Sequence, residues 1–182
     1  MDKHTSRQHY LKLRGNITDR HSKDSSILQS LTTLPQFLSA QKVLCYASIG
    51  GEVSTHKVFE AALTGAKEVW QPAIIDDLLG AVQVTSIDMI QYLKSAPTTA
   101  HLSPKAIIDY FDLIIAPLVA ADAKCNRLGR GGGYYDKLLS LTNAFTIGLA
   151  YDEQISKTPL TQESHDIPLD IIVSPTQIYR KP

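Results

Sequence analysis

The sequence contains only two cysteines, Cys45 and Cys125, which stand far apart and form no Cys-x-x-Cys pattern. This spacing suggests neither a disulfide framework nor a cysteine-based zinc site. The six histidines are scattered as well, and none stands at metal-ligand spacing from another. The sequence therefore predicts no site built on cysteine or histidine.

Neither sign of charge predominates, because eighteen basic side chains balance eighteen acidic ones. A neutral chain has no global field to attract nucleic acid or an anionic membrane, and we expect neither partner. The longest apolar runs, such as 113–121, are too short to span a bilayer, and the polar first residues do not resemble a signal peptide. We expect a cytoplasmic protein with one domain over residues 1–182.

Hydrophobic patterning predicts strands that alternate with helices, which indicates an α/β sandwich with a mostly parallel sheet. The predicted helices cover 2–14, about 19–33, 55–64, 88–93 and 133–141. The predicted strands cover 42–47, 68–72, 80–86, 112–117, 145–150 and 171–173, with 80–86 antiparallel, and 94–104 reads as a loop. Thr18 or Asp19 would cap the second helix, Pro35 would close it, and Ser54 would cap the third.

Four glycines fall within five positions of the segment Asn-Arg-Leu-Gly-Arg-Gly-Gly-Gly-Tyr-Tyr-Asp, residues 126–136, which we call the glycine segment. Such a backbone can take positive φ and form an anion-binding nest from successive N–H groups. Arg127 and Arg130 add planar guanidinium groups that suit phosphate oxygens. Asp136, in the first turn of the following helix, is placed to hold a divalent cation against a phosphate. We interpret the segment as a nucleotide-phosphate loop.

The glycine segment matches neither of the two commonest phosphate motifs. It ends in Gly-Tyr-Tyr-Asp and so lacks the Gly-Lys-Ser/Thr of a Walker A loop. Tyr134 stands where a dinucleotide fingerprint needs its third glycine. The simplest alternative is a flexible surface turn. We favour phosphate binding because two arginines, two tyrosines and an aspartate accompany the glycines.

The glycine segment resembles the signature of the 5-formyltetrahydrofolate cyclo-ligases, also called methenyltetrahydrofolate synthetases. Residues 112–119 before it, 165–170 after it and 48–53 near the first strand resemble further motifs of that family, as do Lys3 and Arg7. The resemblance therefore runs nearly from end to end.

The chain departs from the family pattern between residues 73 and 104. Ala73 follows the strand-two proline, where the family usually has a basic residue, and the Ala96–Pro97 region replaces a Gly-Ile-x-Glu-Pro-like segment. In the family this part of the fold helps to wall the folate, so the departure concerns the substrate more than the ATP chemistry.

The resemblance implies a three-layer α/β/α sandwich, Rossmann-like and of the NagB/RpiA/CoA-transferase-like kind, in a monomer. It implies ATP- and Mg²⁺-dependent conversion of 5-formyltetrahydrofolate to 5,10-methenyltetrahydrofolate, with release of ADP and phosphate. In the family mechanism the formyl oxygen attacks the γ-phosphate, and N10 of the same folate then captures the imidate phosphate as the ring closes.

The resemblance also implies roles for individual residues. The implied catalytic residues are Arg127, Arg130, Tyr135 and Asp136, and the implied magnesium-associated residues are Asp136 and Asp166. The implied ATP contacts are Lys3, Arg7, Arg127, Leu128, Gly129, Arg130, Gly131, Gly132, Gly133, Tyr134 and Tyr135. The implied folate contacts are Ala47, Glu52, Arg130, Gly131, Gly132, Gly133 and Tyr134.

Local spacing alone leaves plainer alternatives for several of these residues. Lys3 and Arg7 are an i, i+4 pair and would also suit a solvated helix face. Glu52 would ordinarily be a surface charge, and Asp166 a turn residue. One of the two tyrosines would suit the core at a helix start.

Two other functions are compatible with a phosphate loop on such a sheet. One is a sugar-phosphate isomerase or CoA-transferase relative, which would bind phosphate without hydrolysing ATP. The other is a non-catalytic nucleotide- or folate-binding module. The joint presence of Arg127, Arg130 and Asp136 favours a nucleotide with a metal.

Overall fold

The computed structural model describes residues 2–75, 78–92, 101–102 and 110–182. The helices are α1 Lys3–Gly15, α2 Arg20–Thr32, α3 Pro35–Ser39, α4 His56–Thr64, α5 Ile87–Tyr92 and α6 Tyr134–Leu139, with a 3₁₀ turn at Asp152–Gln154. The strands are β1 Lys42–Cys45, β2 Glu68–Ile75, β3 Leu78–Val84, β4 His101–Leu102, β5 Leu113–Ala116, β6 Ala120–Asp122, β7 Arg127–Leu128, β8 Phe145–Leu149, β9 Ile155–Ser156, β10 Ile171–Val173 and β11 Ile178–Arg180. The predicted loop over 94–104, including the Ala96–Pro97 departure, lies outside the described residues except at His101–Leu102, which form β4.

The main sheet has eight strands in the order β11-β10-β8-β5-β1-β2-β3-β4. The five strands from β10 to β2 are parallel to one another. Antiparallel pairings add β11 at one side and β3 and β4 at the other. The predicted mostly parallel sheet and the predicted antiparallel third strand are therefore confirmed.

Side chains of successive strand residues pack on opposite faces of the main sheet. Leu113 and Ile115 of β5 join one core cluster, whereas Ile114 joins the other. The first cluster contains side chains from α2, α3 and α4, and the second contains Leu138 and Leu139 of α6. Because helices cover both faces, the central strand β5 is apolar throughout, as expected for a strand with no solvated face. The protein is an α/β sandwich of three layers.

A second, small sheet in the order β7-β6-β9 was missed by the sequence patterns. Its strands have only two or three residues, which is too short for a periodicity to be recognised. The buried Asp122 carboxylate closes the β6–β7 turn by accepting hydrogen bonds from the N–H groups of Lys124 and Asn126, at 2.9 and 3.1 Å. Consequently the second and third residues of the glycine segment, Arg127 and Leu128, form a strand and not an open loop.

The prediction that β2 ends at Pro72 is wrong, because the strand continues to Ile75. Beside β1 the pairing stops where Leu44 lies opposite Trp70, whereas Pro72 pairs only with Ala81 of β3. Proline lacks an N–H and is tolerated where a strand has one neighbour. β2 passes through Pro72 for this reason.

Several helix ends also differ from the predictions. Pro35 does follow α2, but it begins α3 at the first helical position, where its missing N–H is harmless. The N-cap of α4 is Thr55 and not Ser54. The last helix, α6, covers only Tyr134–Leu139 and is shorter than the predicted range of 133–141. In the described part of the chain, no helix combines the length and apolar character that crossing a bilayer requires.

Candidate active site

A cavity of about 800 Å³ opens at the carboxyl ends of the central strands. Residues 46–49, which follow β1, form one wall, and Pro117, which follows β5, forms part of another. Ligands of open parallel sheets bind at this edge. Ala47 and Glu52, two predicted folate contacts, both line the cavity.

Glu52 is buried, and its side chain is only 4% exposed. Its Oε2 accepts a hydrogen bond from the N–H of Ile49 at 3.0 Å. Its Oε1 accepts two from Arg130 of the glycine segment, from Nε at 3.1 Å and from Nη2 at 2.7 Å. The alternative of a plain surface charge is therefore wrong for Glu52.

Arg14 supports the same carboxylate and was missed by the sequence analysis. This buried side chain lies 3.9 Å from Glu52 Oε1, and its Nη2 donates to the carbonyl of Gly50 at 3.1 Å. Burial lowers the pKa of Arg14, and the charge of Glu52 counteracts that shift. A signal did exist, because Arg14 stands two helical turns beyond Arg7 on the same stripe of α1.

The glycine segment has the backbone that its composition predicts. Gly131 and Gly133 take φ values of +103° and +68°, which residues other than glycine rarely adopt. Arg7 of α1 packs on the segment, and its Nε donates to the carbonyl of Gly129 at 2.9 Å. A Cβ added at Gly131 would lie 3.6 Å from Cζ of Arg7, so the helix and the segment are in direct contact.

Lys3 connects the first helix to the motif at residues 165–170. Its Nζ lies 2.5 Å from Oδ2 of Asp166 and 3.4 Å from a carboxylate oxygen of Glu163. Burial opposes ionisation of Asp166, but hydrogen bonds from Lys3 and from the N–H of Glu163 outweigh it and hold the pKa of Asp166 below its usual value. Lys3 and Arg7 thus both contact protein groups, and the alternative that they lie on a solvated helix face is wrong.

Arg127 is buried beside Asp136, with 3% of its side chain exposed and 2.5 Å between Nη2 and Oδ1. Its Cζ lies 5.8 Å from the ring centre of Tyr135. Two buried polar atoms here, Nε of Arg127 and Oη of Tyr135, have no hydrogen-bond partner in the described part of the chain. Since buried polar atoms in native proteins are nearly always paired, these two atoms point to a ligand. Burial raises the pKa of Tyr135, so its phenol is neutral and can donate.

The two tyrosines of the segment occupy different environments. Tyr134 is 40% exposed, and its ring lies against Gly132, where an added Cβ would be 2.9 Å from Cδ2. Tyr135 packs against the core cluster that contains Leu138. Leu128 is buried in a third cluster, which leaves only its backbone for the predicted ATP contact. The alternative of one core tyrosine therefore describes Tyr135.

The predicted magnesium residues are each paired with a cation, Asp136 with Arg127 and Asp166 with Lys3. Among the residues that the structure describes, no group of three or more His, Cys, Asp or Glu side chains is placed to hold a metal ion. The metal roles of Asp136 and Asp166 stay predictions.

Known proteins match this chain along nearly all of its length. The model of the 5-formyltetrahydrofolate cyclo-ligase family matches residues 1–175. The 5-formyltetrahydrofolate cyclo-ligase of Haemophilus influenzae is 30% identical over 89% of this chain and 92% of its own, and that of Escherichia coli K12 is 28% identical over 82% and 86%.

Solved structures agree with this assignment. The NMR structure of Aquifex aeolicus 5,10-methenyltetrahydrofolate synthetase has a TM-score of 0.80 and 27% identity, with 99% of this chain and 93% of that chain covered. The Mycoplasma pneumoniae synthetase, at 24% identity and a TM-score of 0.77, shares the fold, with 96% of this chain and 99% of that chain covered. The chain belongs to the 5-formyltetrahydrofolate cyclo-ligase family, a family of ligases that form a carbon–nitrogen bond, as the resemblance predicted.

Proposed function

We propose that the protein cyclises 5-formyltetrahydrofolate to 5,10-methenyltetrahydrofolate, consumes ATP with Mg²⁺, and releases ADP and phosphate. Membership of the family supports the reaction. One structural observation links the proposed reaction to particular residues. Arg130 of the glycine segment contacts Glu52 of the β1–α4 loop at the cavity. The predicted phosphate segment and the predicted folate residue thus meet at one site.

Four cations from two parts of the chain would neutralise the phosphates of ATP: Lys3, Arg7, Arg127 and Arg130. Arg127 and Arg130 belong to the glycine segment, and Arg7 of α1 packs against it. Guanidinium groups bind phosphate oxygens in a bidentate manner, and the glycine backbone allows close approach. The unpaired Nε of Arg127 is a donor that such a ligand would satisfy.

The chemistry of the available donors fits Mg²⁺. This ion prefers oxygen ligands and is commonly held by one or two carboxylates together with substrate phosphates. Asp136 would be one such carboxylate and Asp166 a second. Bound there, Mg²⁺ would supply further neutralisation of phosphate charge. Arg127 and Lys3 hold these carboxylates in place in the free protein.

The cavity volume of about 800 Å³ is in the range typical of small-molecule sites. The Glu52 carboxylate would accept N–H groups of the pterin, and the half-exposed ring of Tyr134 would stack on it. Phosphoryl transfer demands mainly positioning and charge stabilisation. Holding the formyl oxygen against the γ-phosphate, with N10 nearby to close the ring, is the task that we assign to these side chains.

The test is the absorbance of the methenyl product after mixing the protein with 5-formyltetrahydrofolate, ATP and Mg²⁺. We expect a rise that requires all three components. ATP binding without any rise would favour the non-catalytic binding module, and turnover of a sugar phosphate without ATP would favour the isomerase alternative. A single domain over 1–182, a monomer and a cytoplasmic location stay predictions.

A further inference from the structure

Gln71 is a buried amide in the wall of the cavity. Only 9% of the residue is exposed, and it lines the cavity together with Pro72. Its Oε1 is fully buried and has no hydrogen-bond partner among the residues that the structure describes. A buried amide oxygen without a hydrogen bond costs stability, so its presence in the cavity wall needs an explanation.

The position of Gln71 follows from the register of β2. Side chains alternate between the faces of a sheet, and Val69 and Trp70 join opposite core clusters. Gln71 therefore lies on the Val69 face, the face that α4 covers. Since β1 pairs with β2 only as far as Trp70, Gln71 lies just beyond the end of that pairing, where the cavity opens.

We propose that Gln71 is a further substrate-binding residue, whose amide oxygen accepts a hydrogen bond from a ring N–H of the folate in this cavity. The inference rests on the proposed function. Glu52 lines the same cavity from the β1–α4 loop, but Arg130 and Ile49 already engage both of its oxygens. Gln71 offers an uncharged acceptor for which residues 2–75, 78–92, 101–102 and 110–182 supply no competing partner. A fused ring with several N–H groups would therefore be held from two sides.

The discriminating variant is Gln71→Met, which keeps the length of the side chain and removes its polar atoms. We expect the KM for 5-formyltetrahydrofolate to rise about tenfold to a hundredfold, because the ligand loses a buried hydrogen bond. The KM for ATP should stay within about twofold. We also expect the melting temperature of the free protein to rise, since a buried amide oxygen without a partner among the described residues is replaced by an apolar group.

Gln83→Met is the matched control. Gln83 lies on β3 opposite Trp70, and therefore on the other face of the sheet from Gln71. The same chemical change there should leave both KM values unaltered.

Three results would overturn the inference. An unchanged KM for the folate in Gln71→Met, with active wild-type protein, would refute the role of Gln71 and leave the proposed function intact. A fall in melting temperature with equal increases in both KM values would make Gln71 a structural residue. Wild-type protein that neither binds nor converts 5-formyltetrahydrofolate in calorimetry and absorbance assays would refute the proposed function and this inference together.

Discussion

Arg130 and Glu52 are 78 residues apart in the chain, and Nη2 of the arginine lies 2.7 Å from Oε1 of the glutamate. The arginine is 46% exposed, whereas the glutamate is buried against Arg14. One ion pair thus connects the residue predicted to meet phosphate with the residue predicted to meet the pterin. On these assignments, ATP would draw Arg130 away from Glu52, and the pterin would draw Glu52 away from Arg130. Binding of either ligand would therefore rearrange this ion pair.

We first predict that Glu52→Gln raises the KM for 5-formyltetrahydrofolate about tenfold to a hundredfold, because a charge-assisted hydrogen bond to the ring is lost. Steady-state kinetics with varied folate measures the effect. Glu60→Gln, an exposed change on α4, is the control and should be neutral. Equal folate KM values for Glu52→Gln and wild type would remove Glu52 from the folate site.

The second prediction concerns Arg127, which the sequence places in the predicted phosphate loop. The structure buries it beside Asp136, so Arg127→Ala should lower the free energy of unfolding by about 1 to 3 kcal/mol as well as impair turnover. Urea unfolding and kinetics with varied ATP measure the two effects. Arg127→Lys keeps the charge without the planar fork and should recover stability better than turnover. Unchanged turnover and ATP KM in Arg127→Ala would refute the phosphate assignment of the glycine segment.

Thirdly, Arg7→Ala should raise the KM for ATP more than that for the folate. Arg7 packs against the glycine segment and donates a hydrogen bond to the carbonyl of Gly129. The variant removes a positive charge that would neutralise the phosphates of ATP. Lys12→Ala removes a cation from an exposed position of the same helix and controls for overall charge. Arg7 would be excluded from the ATP site if both variants behaved alike.

The fourth prediction is a pH dependence of stability that arises at Asp112. Hydrogen bonds from the N–H groups of Lys42 and Gln41, at 2.9 and 2.8 Å, hold the pKa of Asp112 below its ordinary value of 3.8. A lowered pKa in the folded state stabilises the protein above pH 3.8, and this contribution disappears as the pH falls through the lowered pKa.

Asp112→Asn should therefore melt at a lower temperature than wild type at neutral pH and at nearly the same temperature in strong acid. Melting curves across a pH series measure the difference, and Glu60→Gln again supplies the control. A gap that stayed constant down to the most acidic pH would contradict the role of the Asp112 charge.

Local sequence signals were enough for the framework of the fold. The apolar run of β5 predicts a strand buried on both faces, and the structure buries all four of its residues. The helical spacing of Lys3 and Arg7 puts both on one side of α1, as observed. What these cations would face is not a local property, because their partners Asp166 and Gly129 lie 163 and 122 residues away.

The sequence by itself determined the α/β class, the mostly parallel sheet and the capacity of the glycine segment for positive φ, since these depend on periodicity and on the lack of a Cβ. Only the tertiary structure decided that Arg14 lies beside the buried Glu52 and that Tyr135 rather than Tyr134 is a core residue. It also decided that the amide oxygen of Gln71 lies at the cavity with no partner among the described residues. These features depend on which distant groups meet, and burial then sets the cost of leaving a charge or an amide without a partner.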